Sequence, residues 1–489
     1  MSLRRVSIST TVIIGLLAAV VAGRNEPSAT TAQFGVVPFA SRPFVSHGSP
    51  IGTTWYCPGV PAGDDTVGGD IVLANPTSAP KRAQVTLLGS NQAAPVKQDI
   101  TVPPRSNYSL SVGNLVTATF VAAIVELEGG DGVVEQRALF PAGNAVSSCI
   151  TETSSTWYFA DGFTVDGSTD QIILTNPTAN DASVSLAFIT KSGKREPAAF
   201  QGDSVAARSV KVISVADNGL KDESIIGVQV IAARGAQLIV GRAQHYFGGN
   251  RLGYSLTLGA PAPSAQVWFA DGETGAGITE QYVMFNPTDQ DATVDIAVLG
   301  VGITSAFNPP DPVPVPAGEV VVFDVAAIVG LPAGRHSMVF ATLAAASVVI
   351  ERVLTRPAGD SVSTTVVMGM TAEFAVPRWY VPVSAESALP GALVVYNVDG
   401  VDATVTVKAV GPGGELAIPS LTDIPIGAGG IATIDLVDAS AFGLTLVVES
   451  TQRLYVERLL SRGGDLAGRS GSWAVPDCGP CNLLSRPSS

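Results

Sequence analysis

Tryptophan recurs in this chain at positions 55, 157, 268 and 379, intervals of 102, 111 and 111 residues. Each opens a related run: Trp55-Tyr56-Cys57-Pro58-Gly59, Trp157-Tyr158-Phe159-Ala160-Asp161-Gly162, Trp268-Phe269-Ala270-Asp271-Gly272 and Trp379-Tyr380-Val381-Pro382. A period near a hundred residues is too long for a solenoid unit and matches a small domain. The chain therefore reads as four copies of one module. Three further landmarks keep the same time. A turn-forming Asn follows each tryptophan after 18 to 20 residues (Asn75, Asn176, Asn286, Asn397), the first three as Asn-Pro-Thr. A second turn lies 48 or 49 residues on, at Pro103, Ala206, Pro316 and Gly427, and an Arg closes each copy: Arg137, Arg242, Arg352 and Arg458.

Within a copy the pattern is β. QIILTN, ASVSLAFIT, RSVKVISV, SIIGVQVIAA and AQLIVGRA in the second copy are short Val- and Ile-rich runs between Gly, Pro, Asn and Asp clusters, the signature of strands and turns. ISVADNGLKDES and DVAAIVGLPAG have room for single helical turns. The fold expected is all-β: a tandem array of four Ig-like or fibronectin-like antiparallel β-sandwich modules after an N-terminal apolar helix. A β-propeller is the rival, but its blades run to about 40–50 residues, so each copy would have to hold two. The divisions are a signal peptide or membrane anchor (1–22), a spacer (23–54), modules at 55–152, 153–264, 265–375 and 376–476, and a Cys-containing tail (477–489). Trp473 opens Trp473-Ala474-Val475-Pro476 with 17 residues left, too few for a fifth module. The tryptophan segment is thus expected to complete the preceding module as well as open the next, joining the modules without linkers into a stiff rod.

Arg4-Arg5 followed by the apolar stretch from Val6 to Ala22 has the basic and apolar regions of a secretory signal. An uncleaved anchor with the arginines in the cytoplasm is the alternative. Hydrophobic residues make up 46% and charged ones 14%, with 51 Gly and 33 Pro, a composition for many strands and turns. The net charge of −14 disfavours nucleic acid and anionic surfaces as partners. The chain is accordingly expected outside the cytoplasm, secreted or held to the membrane by its N-terminal segment.

Four cysteines, Cys57, Cys149, Cys478 and Cys481, fit an oxidising compartment. A Cys57–Cys149 disulfide would staple the first module; four cysteines permit three connectivities. Cys478-Gly479-Pro480-Cys481 has the spacing of a thioredoxin motif, yet sits outside any βαβ context and reads as a terminal disulfide loop.

The histidines His47, His245 and His336 show no metal-ligand spacing, and there is neither a nucleophile elbow nor a phosphate loop. No catalytic residue is assigned and no cofactor is expected. The acidic residues after each tryptophan are weak calcium candidates, chiefly Asp161, Asp166, Asp170, Asp271, Glu273 and Glu280, set against the turn chemistry that Asp and Gly ordinarily perform. Asp64, Asp65, Asp70 and Glu386 are their counterparts in the outer copies. In VVIERVL, strand alternation puts Arg352 on the face opposite Glu351. A charge on an apolar face needs a partner, and a post-tryptophan acid was the natural one, Asp170 for Arg242 or Glu280 for Arg352.

The W-[YF]-F-A-D-G opening with N-P-T some nineteen residues later resembles the repeats of family of unknown function 5719, from exported actinobacterial proteins. The resemblance covers about 55 to 476, clearest in the second and third copies. It implies an envelope-associated, non-cytoplasmic protein and supplies no activity. The function expected is a non-catalytic structural or interaction protein of the cell envelope, a rod of sandwiches touching an envelope protein or cell-wall polysaccharide. The alternative is a carbohydrate- or ligand-binding array, and an enzyme comes third.

Overall fold

A computed structural model describes residues 43–45, 52–63, 66–301, 310–343, 346–382, 391–436 and 443–478. The segment 1–22 lies outside the described residues, as do Asp64, Asp65, Glu386 and Cys481. The protein is all-β. Helical structure among the described residues is confined to three-residue 3₁₀ turns, two of them Ala216–Asn218 and Val325–Ala327, where the sequence left room for single turns. No helix among them is long and apolar enough to cross a membrane.

Each of the first three copies contributes two antiparallel sheets. In the first copy one sheet runs Gly52–Pro61, Phe120–Glu128, Lys81–Gly89, Val96–Val102, and the other Ser106–Ser111, Gly68–Asn75, Val133–Leu139, Ala145–Ser148. The tryptophan strand thus edges one sheet, and the arginine strand lies inside the other. In the fourth copy a single 17-residue strand, Thr445–Ser461, performs both tasks that Phe120–Glu128 and Val133–Leu139 share in the first. It runs through both sheets and fuses them into one of nine strands.

The copies do not form a rod. The strands that follow the arginine strands (Ala145–Ser148, Gly253–Leu258, Ser361–Met368 and Arg469–Trp473) pack each against the next, and the last packs back on the first. They close a ring around an axis. The apolar cluster around Trp55 takes in Ile173, Val210 and Ala243 from the second copy and Tyr380 and Val447 from the fourth. That around Trp157 takes in Val283, Phe285, Val349 and Val353 from the third. The linker-free junctions remain, but each copy turns back on its neighbour. The physical reason is burial on both faces of a sheet: every residue of Ala392–Asn397 is buried, as are seven of eight in Gly68–Asn75. A strand with one solvated face would alternate. These sheets need cover on two sides, and the neighbouring copy supplies the second.

Trp55, Trp157 and Trp379 are wholly buried. Trp268 is half-buried and stacks on Tyr455 and Tyr396 of the fourth copy, ring centroids 5.3 and 6.0 Å away. The edge of each tryptophan strand is paired by the segment that ends its own copy: Tyr56 with Ile150, Tyr158 with Ala260, Trp268 with Met370, and Tyr380 with Val475. Val475 is therefore the counterpart of Ile150, and Trp473 is no fifth repeat tryptophan. It ends an axial strand, and its indole N–H donates to the Met368 carbonyl at 2.7 Å. Residues 474–476 do complete the fourth copy, but elsewhere Ile150, Ala260 and Met370, which precede the next tryptophan strand, take that task. Neither the double role expected of the tryptophan strand nor the kinship of Trp473 with Trp379 holds. Val45 adds a further bridge outside Pro476 and Asp477, so the first and last described segments meet in the fourth copy.

Cys57 and Cys149 form a disulfide with Cα atoms 4.5 Å apart, spanning 92 residues. Cys478 is also disulfide-bonded. The asparagines stitch two turns together. Asn176 Oδ1 accepts from the Thr178 backbone N–H and hydroxyl at 3.0 and 2.8 Å, while its Nδ2 donates to the carbonyls of Asn180, Val205 and Ala206. Asn75, Asn286 and Asn397 do the same across Pro103, Val315 and Gly427. The two turns recur at a spacing of 28 or 30 residues because one side chain ties them.

Candidate functional site

Charge on the arginine strands is the most concentrated chemistry in the molecule. Arg242, Arg352 and Arg458 are wholly buried, and Arg137 nearly so. A guanidinium out of water is tolerated only with a fully hydrogen-bonded counter-charge. The next copy supplies it: Glu351 and Glu457 each stand one place before an arginine and so point the opposite way, and Glu135 stands two places before Arg137. Arg242 of the second copy donates Nη1 and Nη2 to Glu351 of the third at 3.1 and 2.7 Å. Arg352 donates in the same fork to Glu457 of the fourth at 3.0 and 2.7 Å. Arg458 closes the circle on Glu135 of the first. Strand Val349–Ala358 thus reaches back through Glu351 and forward through Arg352.

The tryptophan motif is the socket for that glutamate. Glu351 Oε2 accepts the backbone N–H groups of Ala160 and Asp161 at 2.7 and 2.8 Å, and Glu457 Oε1 accepts those of Ala270 and Asp271 at 2.7 and 3.1 Å. Each carboxylate receives four donors, which offsets much of the cost of burying it. Phe159 lies under the Arg242 guanidinium at 5.0 Å, and Phe269 under that of Arg352 at 5.9 Å, cation–π partners for the same groups. The motif Asp carries its own clamp: Asp161 takes both oxygens to Arg251 at 3.0 Å, and Asp271 pairs with Arg335, Arg352 and Arg356. The closing Gly is obligatory, because a Cβ on Gly162 would stand 2.5 Å from Asp170 and 2.8 Å from the Ile226 carbonyl.

Where the motif lapses, so does the socket. Pro58 and Pro382 stand where Ala160 has its N–H. The second copy has Gly241 in place of the glutamate, and Pro58 sits so close that a Cβ there would be 2.8 Å from its ring. Arg137 turns instead to Asp70 of its own copy. That junction is held by Thr175 donating to the Pro58 carbonyl at 2.6 Å and by stacking of Phe140 on Tyr254.

The acids singled out in the sequence are accordingly dispersed among pairs. Asp161, Asp271 and Glu273 meet arginines. Asp166 accepts from the Gly249 backbone N–H at 3.0 Å. Glu280 accepts from the Tyr282 hydroxyl at 2.5 Å and lies 3.0 Å from His336. Asp170 has no hydrogen bond on either oxygen. Among the described residues, no group of three or more His, Cys, Asp and Glu converges in a metal-binding arrangement. Same-copy pairing of a post-tryptophan acid with the closing arginine occurs as Asp70–Arg137 and, at 3.7 Å, as Asp271–Arg352. Arg242 and Arg352 bond Glu351 and Glu457 rather than Asp170 and Glu280.

Burial and partners pull the carboxyls in different directions. Burial raises Glu351 in spite of Arg242. It also raises Asp271, but Arg356, Arg352 and Arg335 together outweigh it and hold that carboxyl well below the usual range. Asp170 is pushed up to about 7 by burial, against the pull of Arg242.

Glu135, Glu351 and Glu457 were missed from the sequence, although each stands one or two places before a repeat arginine and on the opposite face or beside it. Their signal is the recurring Glu-Arg of VVIERVL and LYVERLL. The family model for the family of unknown function DUF5719 matches residues 141–237 and 256–468, well over half the chain. The chain belongs to family DUF5719. No curated protein and no solved structure matches it. The matched DUF5719 residues contain the Arg352–Glu457 socket and Glu351 with its Ala160 and Asp161 donors, while Arg242 falls between the two matched stretches.

Proposed function

We propose that this DUF5719 protein is a non-catalytic structural or interaction protein of the cell envelope, lying outside the cytoplasm and secreted or held at the membrane through segment 1–22. On this reading its four copies are sandwich modules of Ig-like kind drawn into a closed body. The observation that carries the reading is the belt of buried ion pairs. Glu351, Glu457, Arg242, Arg352 and Arg458 are wholly buried and spent on joining copies, which makes a rigid body rather than a reactive cleft. The Cys57–Cys149 disulfide suits an oxidising compartment, and the net charge of −14 disfavours nucleic acid. An envelope protein is the partner proposed.

A second reading, binding of cell-wall polysaccharide, has one observation in its favour. Phe140 stacks on Tyr254 at 4.1 Å, His245 meets the Phe140 and Phe247 rings edge-on at 5.0 and 4.5 Å, and Phe247 is exposed. The exposed Phe247 ring, backed by half-buried His245 and Phe140, suits the apolar face of a sugar ring. The test is retention of the full-length protein on immobilised envelope proteins and on purified cell-wall polysaccharide. Retention by proteins supports the first reading. Retention by polysaccharide that falls with Phe247→Ala overturns it for the second, and retention by neither overturns both.

A further inference from the structure

The joint between the second and third copies holds three carboxyls against two guanidiniums. Asp161, Glu351 and Asp170 face Arg242 and Arg251, with the Tyr246 hydroxyl beside them. Two of the carboxyls are fully served. Glu351 has Arg242 and two backbone donors, and Asp161 has Arg251. Asp170, on strand Thr169–Asn176, is wholly buried with neither oxygen hydrogen-bonded. Gln244, its cross-strand neighbour, is turned to the Tyr246 hydroxyl at 2.6 Å and to the Phe163 carbonyl. The equivalent in the third copy differs: Glu280 accepts from Tyr282 and from the Glu273 backbone N–H.

We propose that this joint is proton-linked: Asp170 keeps a proton in mildly acidic solution and sheds it as the pH rises through neutrality, and the loss weakens the packing of the second copy on the third. Three ionised carboxylates would leave one uncompensated negative charge in a site closed to water, and the group without donors is the one that takes the proton. Burial pushes Asp170 up to about 7, in accord with that geometry. The sign follows from linkage. Between the ordinary aspartate range near pH 4 and about pH 7, the folded protein binds a proton the unfolded chain does not. Rising pH therefore removes stability across that window, and the loss persists above it.

The test is thermal unfolding of the wild type and Asp170→Asn at pH 5, 6, 7 and 8, with Asp70→Asn alongside. The amide keeps the neutral form at every pH. The gap between the Asp170→Asn and wild-type midpoints should widen in favour of the variant by several degrees from pH 5 to pH 8. Asp70→Asn, which strips an ion pair, should lower the midpoint throughout. A gap that stays constant or narrows as pH rises overturns the proposal. Should Asp170→Asn fail to fold, infrared spectra of the wild type decide: a protonated-carboxyl band present at pH 6 and lost by pH 8 supports the joint, and its absence at pH 6 overturns it.

Discussion

Glu135 and Arg458 stand 323 residues apart in the chain and form an ion pair in which both side chains are wholly buried. One comes from the first copy and the other from the last, so the pair exists only because the array closes. Removing one partner of such a pair leaves a charge stranded away from water, at a cost of about 3–5 kcal/mol. We predict losses in that range for Glu135→Gln and for Arg458→Met in denaturant unfolding. The double variant should recover part of the loss, a coupling of about 1–3 kcal/mol.

The socket in the tryptophan motif makes a second prediction. Glu351→Ala strips Arg242 and the Ala160 and Asp161 N–H groups of their acceptor at once, and should cost about 3–5 kcal/mol. Gly162→Ala, which forces a methyl against Asp170 and the Ile226 carbonyl, should cost about 1–3 kcal/mol by overpacking alone. Urea denaturation midpoints at constant m-value measure both.

The Asn176 stitch is checked by Asn176→Ala, which frees five hydrogen bonds and should lower stability by about 1–3 kcal/mol. Thr178→Ala removes only a local hydroxyl and should cost less. Equal effects in calorimetry would mean that the asparagine merely shapes its own turn.

Asp271 gives a pH dependence of opposite sign to Asp170. Three arginines hold its carboxyl well below the usual range, so the folded state favours the ionised form. The resulting stability is present above about pH 4 and lost as pH falls through the folded value. Asp271→Asn should therefore be clearly less stable than the wild type at pH 7. The difference should shrink as both are taken toward pH 2, read from urea unfolding across that range.

Much of this was legible in the chain. The period, the β character, the Cys57–Cys149 disulfide and the structural use of Arg242 and Arg352 follow from residue spacing and from the cost of buried charge. What escaped was the direction of packing. ALVVYN and DIVLAN are apolar on both faces, which announces cover on two sides, but sequence does not say whose. Glu351 and Glu457 recur beside an arginine, but nothing local names their partners, which lie 109 and 105 residues earlier. Trp473 misled because the strand it ends differs from the one that Trp379 occupies. The Asn turn and the second turn keep an interval of 28 residues in the first copy and 30 in the others, a correlation whose cause is a hydrogen bond that only the fold displays.

Reduction tests the staple. The disulfide closes a loop of 92 residues, for which chain entropy suggests about 4.6 kcal/mol. The Cys57→Ala, Cys149→Ala double variant should lose about 2–5 kcal/mol in chemical denaturation.

Closure of the four copies into one body is the claim on which the rest depends, and small-angle X-ray scattering of the chain beginning at residue 43 measures it most directly. A compact body of this length has a radius of gyration of about 23 Å. The closed arrangement predicts a value near that, with a symmetric pair-distance distribution. A substantially larger radius, with the long-tailed distribution of modules strung end to end, would contradict it.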